Sequence, residues 1–111
     1  MKLLINIDVN DLEKGVAFYQ SAFGLSLRRR LFGGTVAEMT GASSNVYLLS
    51  KPSGSSASPQ VSLPRDYRRH WTPVHLDFEV EDIEAAVHRA LSAGPSLKMK
   101  FKPSLGVASL K

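Results

Sequence analysis

His75, Asp77 and Glu79 stand two residues apart in the stretch VHLDFEV, and each can move a proton or hold a cation. That spacing puts all three on one face of an extended strand, with Val74, Leu76, Phe78 and Val80 on the other. Asn6 and Asp8 repeat the pattern near the start of the chain, opposite Ile5, Ile7 and Val9. Imidazole titrates near neutral pH, so His75 suits a general base, a ligand hydrogen bond or one bond to a metal. Asn6, Asp8, Asp77 and Glu79 together would make an acidic wall, which must meet water, a ligand or a partner. Trp71 is close in sequence and offers a flat surface for stacking at a cavity mouth. Each has a plainer alternative. His75 would bond to Asp77 or Asp8, the acids would pair with Arg28 or Arg30, and Trp71 would be a packing or dimer-interface residue.

An internal repeat positions these residues. Displacing the chain by 71 residues lays Val9, Asp11, Glu13, Val16, Ser21 and Ala22 on Val80, Asp82, Glu84, Val87, Ser92 and Ala93. Ile5, Ile7, Asp8 and Leu12 then meet Leu76, Phe78, Glu79 and Ile83, which preserves polarity. Such self-similarity marks duplicated architecture. Each copy reads as an alternating strand running into an amphipathic helix. In the first, Asn10 followed by Glu13 predicts a capping box, Leu12, Val16, Tyr19 and Phe23 a buried stripe, and Gly24 the stop. In the second, Glu81-Asp82 opens the helix, Ile83, Val87 and Leu91 form the stripe, and Gly94-Pro95 ends it.

The segments between complete the pattern. Leu25–Phe32 and Thr35–Met39 predict a hairpin around Gly33-Gly34, with the Arg28–Arg30 side chains alternating faces. Asn45–Ser50 predicts one further strand, so the first unit, about residues 1–50, is β-α-β-β-β. Lys51–Pro64 is rich in Ser, Pro and Gly and reads as a mobile linker reaching to about residue 71, with room for a short strand at Gln60–Leu63. The second unit, about residues 72–111, has space after its helix for only two strands, Leu97–Lys102 and Leu105–Leu110. Either a last strand is missing or another chain pairs the exposed edge.

The whole chain narrows the function classes. Its 111 residues make one domain's length, and 43% hydrophobic with 22% charged residues is an ordinary globular composition. With no cysteine, disulfides, thiolate metal sites and cysteine nucleophiles are excluded. A net charge of +4 raises the question of nucleic acid, but no nucleic-acid motif accompanies the arginine clusters, and none is expected as a partner. MKLLINIDVN is broken by Asn6 and Asp8 too soon for a signal peptide, and no run approaches a membrane span. A cytoplasmic protein without membrane contact is the expectation.

DLEKGVAFYQSAFGL resembles the opening helix of the vicinal oxygen chelate superfamily, which holds glyoxalase I, bleomycin-resistance proteins and extradiol dioxygenases. VHLDFEVEDIEAAVHRALSAG resembles the start of that family's second module, and the likeness covers about residues 3–95. It implies an α+β fold of tandem βαβββ modules forming a curved mixed sheet around a cavity, here with the second module curtailed. In metal-dependent members, four positions on the strands carry ligands. They fall here on Leu4, on about Leu48, on His75, and beyond Lys111 or in a tail that departs from the family pattern. Only His75 can coordinate, and zinc or nickel wants three or four donors. Asp77 and Glu79, about 7 Å apart along their strand, do not complete the set without a neighbouring chain.

The resemblance therefore implies, first, a metal-independent binding protein for a small molecule, needing no cofactor. Its cationic or polar ligand would lie between the two first strands, at Asn6, Asp8, His75, Asp77, Glu79 and Trp71. Complementary charge would give such a groove selectivity and a fast on-rate. The alternatives are a lyase or dioxygenase with a divalent metal at His75, and a truncated member without activity. A homodimer, with strand exchange as one route to it, is the expected assembly.

Overall fold

Alternating polarity at Ile5–Val9 produces β1, and burial follows it: Ile5, Ile7 and Val9 turn inward while Asn6 and Asp8 are exposed. The computed structural model describes residues 1–94, 99–102 and 107–110. After β1 come α1 (Leu12–Phe23), β2 (Ser26–Leu31), a 3-10 turn at Phe32–Gly34, β3 (Val36–Thr40) and β4 (Val46–Ser50). The four strands form one mixed sheet in the order β1-β4-β3-β2, with β1 and β4 parallel and the other pairs antiparallel. The first unit is the expected βαβββ.

α1 covers one face of this sheet. Leu12, Val16 and Tyr19 pack against Leu25, Ala37, Met39, Val46 and Leu48. Gly15 allows the close approach, since a Cβ there would stand 3.3 Å from Val9 Cγ1 and 3.5 Å from Leu48 Cδ1. The helix cap falls one residue later than the spacing predicts. Asp11 accepts the Lys14 N–H at 3.1 Å, while the Asn10 side chain accepts from Ser53 N at 2.9 Å. Both residue types cap well. The loop after β4 gives Asn10 another donor, so Asp11 takes the cap. Gly24 ends the helix at φ 68, and its N–H donates to Gln20 O at 3.0 Å.

The second unit comprises β5 (Leu76–Glu79), α2 (Ile83–Ala93), β6 (Met99–Lys102) and β7 (Val107–Leu110). Its sheet order is β5-β7-β6, antiparallel throughout. In the first unit the strand beside β1 is the fourth and runs parallel. Here, among the described residues, two strands follow the helix, and β7 takes the place beside β5 in the opposite direction. Residues 97–98 and 105–106 of the expected tail strands, and Pro95 of the helix stop, lie outside the described residues.

α2 begins at Asp82, whose carboxylate accepts the Ala85 N–H at 3.1 Å. Its stripe is rotated from the expected one. Ala86 and Ala90 are buried, Ile83 and Val87 half-buried, and Leu91 is exposed. The cause is packing of α2 against α1, where small residues shorten the interaxial distance. Phe23 of α1 stacks on Phe78 of β5, with ring centroids 4.1 Å apart and planes 11° from parallel. This contact ties the units together.

The Ser-rich segment folds back on itself. Gly54 N donates to Arg65 O at 2.7 Å, Arg65 N donates to Ser55 O at 2.8 Å, and Ser56 bridges Pro64. Gln60–Leu63 forms no strand. Among the described residues no helix is long and apolar enough to cross a membrane.

Candidate functional site

β1 and β5 are both edge strands, and residues of both line one cleft of about 660 Å³. Ile7 and Val9 of β1, with Phe18 and Tyr19 of α1, supply apolar surface on one side. Val74 and Leu76 supply it on the other. Asp8, Asn10, Asp11, Lys14 and Tyr67 bring the polar groups. Small-molecule sites have this size and this mixture.

One arginine organises the polar rim. Arg65 Nε donates to Asp8 Oδ2 at 2.8 Å, and its Nη1 donates to Ser55 Oγ at 3.2 Å and Ser56 O at 2.6 Å. Nearby, the Tyr67 hydroxyl donates to Lys51 O at 2.6 Å. Burial and the Asp8 charge push the Tyr67 hydroxyl above its ordinary pKa, with Arg65 opposing, so it stays a neutral donor. Asp8 is thus paired, but with neither Arg28 nor Arg30.

Those arginines serve other acids. Arg30 Nη1 lies 2.8 Å from Glu13 Oε1, while Arg28 and Arg29 lie 3.0 and 3.2 Å from the two oxygens of Glu38. Strict alternation would send Arg28 and Arg29 to opposite faces. A register shift between Leu27 and Arg29 breaks it, and both guanidinium groups reach one carboxylate. Glu38 is fully buried on the sheet face that α1 leaves uncovered, in register with Tyr47, which itself aligns with Asn6. Burial raises its pKa, but hydrogen bonds from Arg29 and Tyr47 and the charges of Arg29 and Arg28 outweigh this, and the net shift is downward. The sequence contained a signal for this cluster: a lone acid in the apolar run VAEMT, across a Gly-Gly turn from three arginines.

A testable pH dependence follows. A carboxylate held below its unfolded pKa stabilises the fold above that value and stops doing so as pH falls through the folded one. Between about pH 5 and about pH 3, the melting temperature of the native protein should fall more steeply than that of Glu38→Gln. Parallel curves would show that the ionised Glu38 adds nothing.

Of the six residues expected at the ligand site, Asp8 is the one that lines the cleft. Asn6 is exposed on the face of β1 away from α1, and Asp77 and Glu79 are exposed on β5. His75 precedes β5, exposed between the cleft residues Val74 and Leu76, and makes no hydrogen bond among the described residues. Trp71 is 80% exposed in the segment before it. The cleft residues that sequence reasoning passed over include the apolar strand residues and Tyr19, which read simply as core, Asn10, which reads as a helix cap, Lys14 and Phe18, to which no role was given, and Tyr67, whose position depends on the fold of the linker.

The family's metal positions fare no better as a ligand set. Leu4 is exposed and apolar, and Leu48 is fully buried beneath α1 rather than facing a cavity. The neighbours of Leu48 on the uncovered face are Tyr47 and Leu49, because side chains alternate along β4. Among the described residues no three His, Asp or Glu side chains gather to hold a metal ion. The residues at these positions do not fit a divalent cation.

Among curated proteins no sequence matches this chain. Among solved structures, the X-ray structure of a gene product from Arabidopsis thaliana is similar, with a TM-score of 0.55 and 20% sequence identity. The match covers 94% of this chain and 78% of that one, and at this identity it speaks for the fold alone. The glyoxalase-like domain family matches residues 4–105, spanning both strand–helix repeats. With that match and the βαβββ unit in place, the chain belongs to the glyoxalase-like domain family, of the vicinal oxygen chelate fold.

Proposed function

We propose that the protein is a metal-independent small-molecule binder of the glyoxalase and bleomycin-resistance type, taking a polar or cationic organic ligand in the cleft along β1. The cleft itself carries this reading: about 660 Å³, apolar on two sides, with Asp8, Asn10, Asp11, Lys14 and Tyr67 as its polar groups. A binder needs only such a surface with a few placed polar groups. A metal-dependent lyase would need a ligand set for which His75 supplies a single donor. The apolar body of the ligand rests between Phe18 and Leu76, and its polar end meets the two aspartates and the Tyr67 hydroxyl.

The test is thermal unfolding in the presence of a chelator, against amphiphilic cations and polyols. A compound that binds only the folded state raises the melting temperature. Val74 lines the cleft and is 69% exposed, so Val74→Trp fills the site without entering the core. It should weaken binding by about tenfold or more while leaving the ligand-free protein nearly unchanged. A response that requires added metal, or one that survives Val74→Trp undiminished, would overturn the reading.

A further inference from the structure

A groove of about 560 Å³ runs between α1 and α2, where Ala17, Phe18 and Ser21 of one helix meet His88, Arg89 and Ser92 of the other. The 71-residue repeat makes these the same three positions in each copy: 17 with 88, 18 with 89, 21 with 92. The duplicated helices therefore present one face to each other across a shared groove. Serine is kept on both sides, while the other two positions have diverged in chemistry. The first copy offers a methyl and a phenyl group, the second an imidazole and a guanidinium.

Charge on the groove is of one sign. Lys14, which also lines the cleft along β1, joins Arg89 as a second cation, and among the described residues no acidic side chain lines the groove. Elsewhere the basic side chains are widely used. Arg28 and Arg29 serve Glu38, Arg30 serves Glu13, Arg65 serves Asp8, and Arg68 serves Asp66. Lys14 and Arg89 make no ion pair among the described residues.

We propose that this groove binds a small organic phosphate, a phosphomonoester with an apolar or aromatic body. Two fixed positive charges match a dianion. The arginine fork engages two phosphate oxygens at once, the lysine acts as a point charge, and the serine hydroxyls donate to what remains. Ala17 and Phe18, the latter shared with the cleft along β1, take the apolar body, for which an aromatic ring has favourable edge and offset geometries. A simple carboxylate would leave one cation unmatched, and inorganic phosphate would forgo the apolar wall.

Titration calorimetry on the full chain tests this with phenyl phosphate, inorganic phosphate and benzoate as probes. Phenyl phosphate should bind saturably at one site and more tightly than either of the others. Arg89 and Ser92 are exposed and line this groove but not the cleft along β1. Arg89→Gln and Ser92→Phe should each weaken phenyl phosphate by about tenfold or more, with the far-UV circular dichroism unchanged. Arg69→Gln removes the same charge from an exposed site outside the groove and should change nothing. Val74→Trp should also leave this binding intact, which separates the groove from the proposed cleft ligand. Absence of saturable binding to the native protein, or an equal loss in Arg69→Gln, would overturn the proposal and leave only a diffuse basic surface.

Discussion

Leu48→Ala is expected to lower the free energy of unfolding by about 2–5 kcal/mol, the range for deleting a buried leucine side chain. Leu48 is 0% exposed and lies mid-strand, in register with Ile7 of β1 and Ala37 of β3. Its Cδ1 lies 3.5 Å from where a Cβ on Gly15 would stand, so α1 rests close over it. The sheet cannot close around a missing isopropyl group, because the neighbouring strands are pinned by their own ladders. A cavity would remain, and its cost adds to the lost transfer energy. Urea unfolding followed by far-UV circular dichroism measures the difference, since the single Trp71 is too exposed to report on the core. A loss below about 1 kcal/mol would place Leu48 on the cavity side of the sheet. There alanine would perturb ligand binding rather than stability.

The second large effect is expected at Arg65. Arg65→Ala removes the bonds from its guanidinium to Asp8, Ser55 and Ser56 together. The arginine side chain is 16% exposed and the Asp8 side chain 40%, so solvent screens the aspartate half of the pair. About 1–2 kcal/mol is a reasonable loss for a charge-assisted bond of this kind. The local consequence should exceed the global one. Arg65 joins the linker to a strand 57 residues earlier, and its loss frees the segment from Lys51 to Val74. Thermolysin should then cut faster near Val61 and Leu63, which are already exposed. Equal cleavage rates in native and variant protein would mean that the backbone bonds between Arg65 and the 54–55 turn hold the segment unaided.

Much of the first unit was legible because its information is local. Period-two alternation at Ile5–Val9, the helical recurrence of Leu12, Val16 and Tyr19, and Gly24 at the stop need no distant partner. The cap falls one residue beyond its predicted position for a different reason. Asn10 and Asp11 are near-equal cap formers, and a backbone N–H at Ser53 decided between them. The largest apolar residues of α2 predict its stripe, whereas contact with a second helix favours the smallest.

The candidate site divides along the same line. Alternation correctly put Asn6 and Asp8 opposite the core face of β1. It could not name Arg65 as the partner of Asp8, nor bring Arg28 and Arg29 to Glu38, because pairing across loops and a bulge is a property of the folded chain. Nor could it show that Val74 and Leu76, rather than His75, line the cleft shared with β1.

From its residues alone, then, the chain declares a duplicated strand–helix unit and the polarity of each face. These depend on side-chain type and spacing within a few turns of backbone. Which acid meets which base, which strand lies beside β5, and where a cavity opens were decided only by tertiary structure. Each depends on the closing of long loops, whose outcome rests on small differences among many weak contacts.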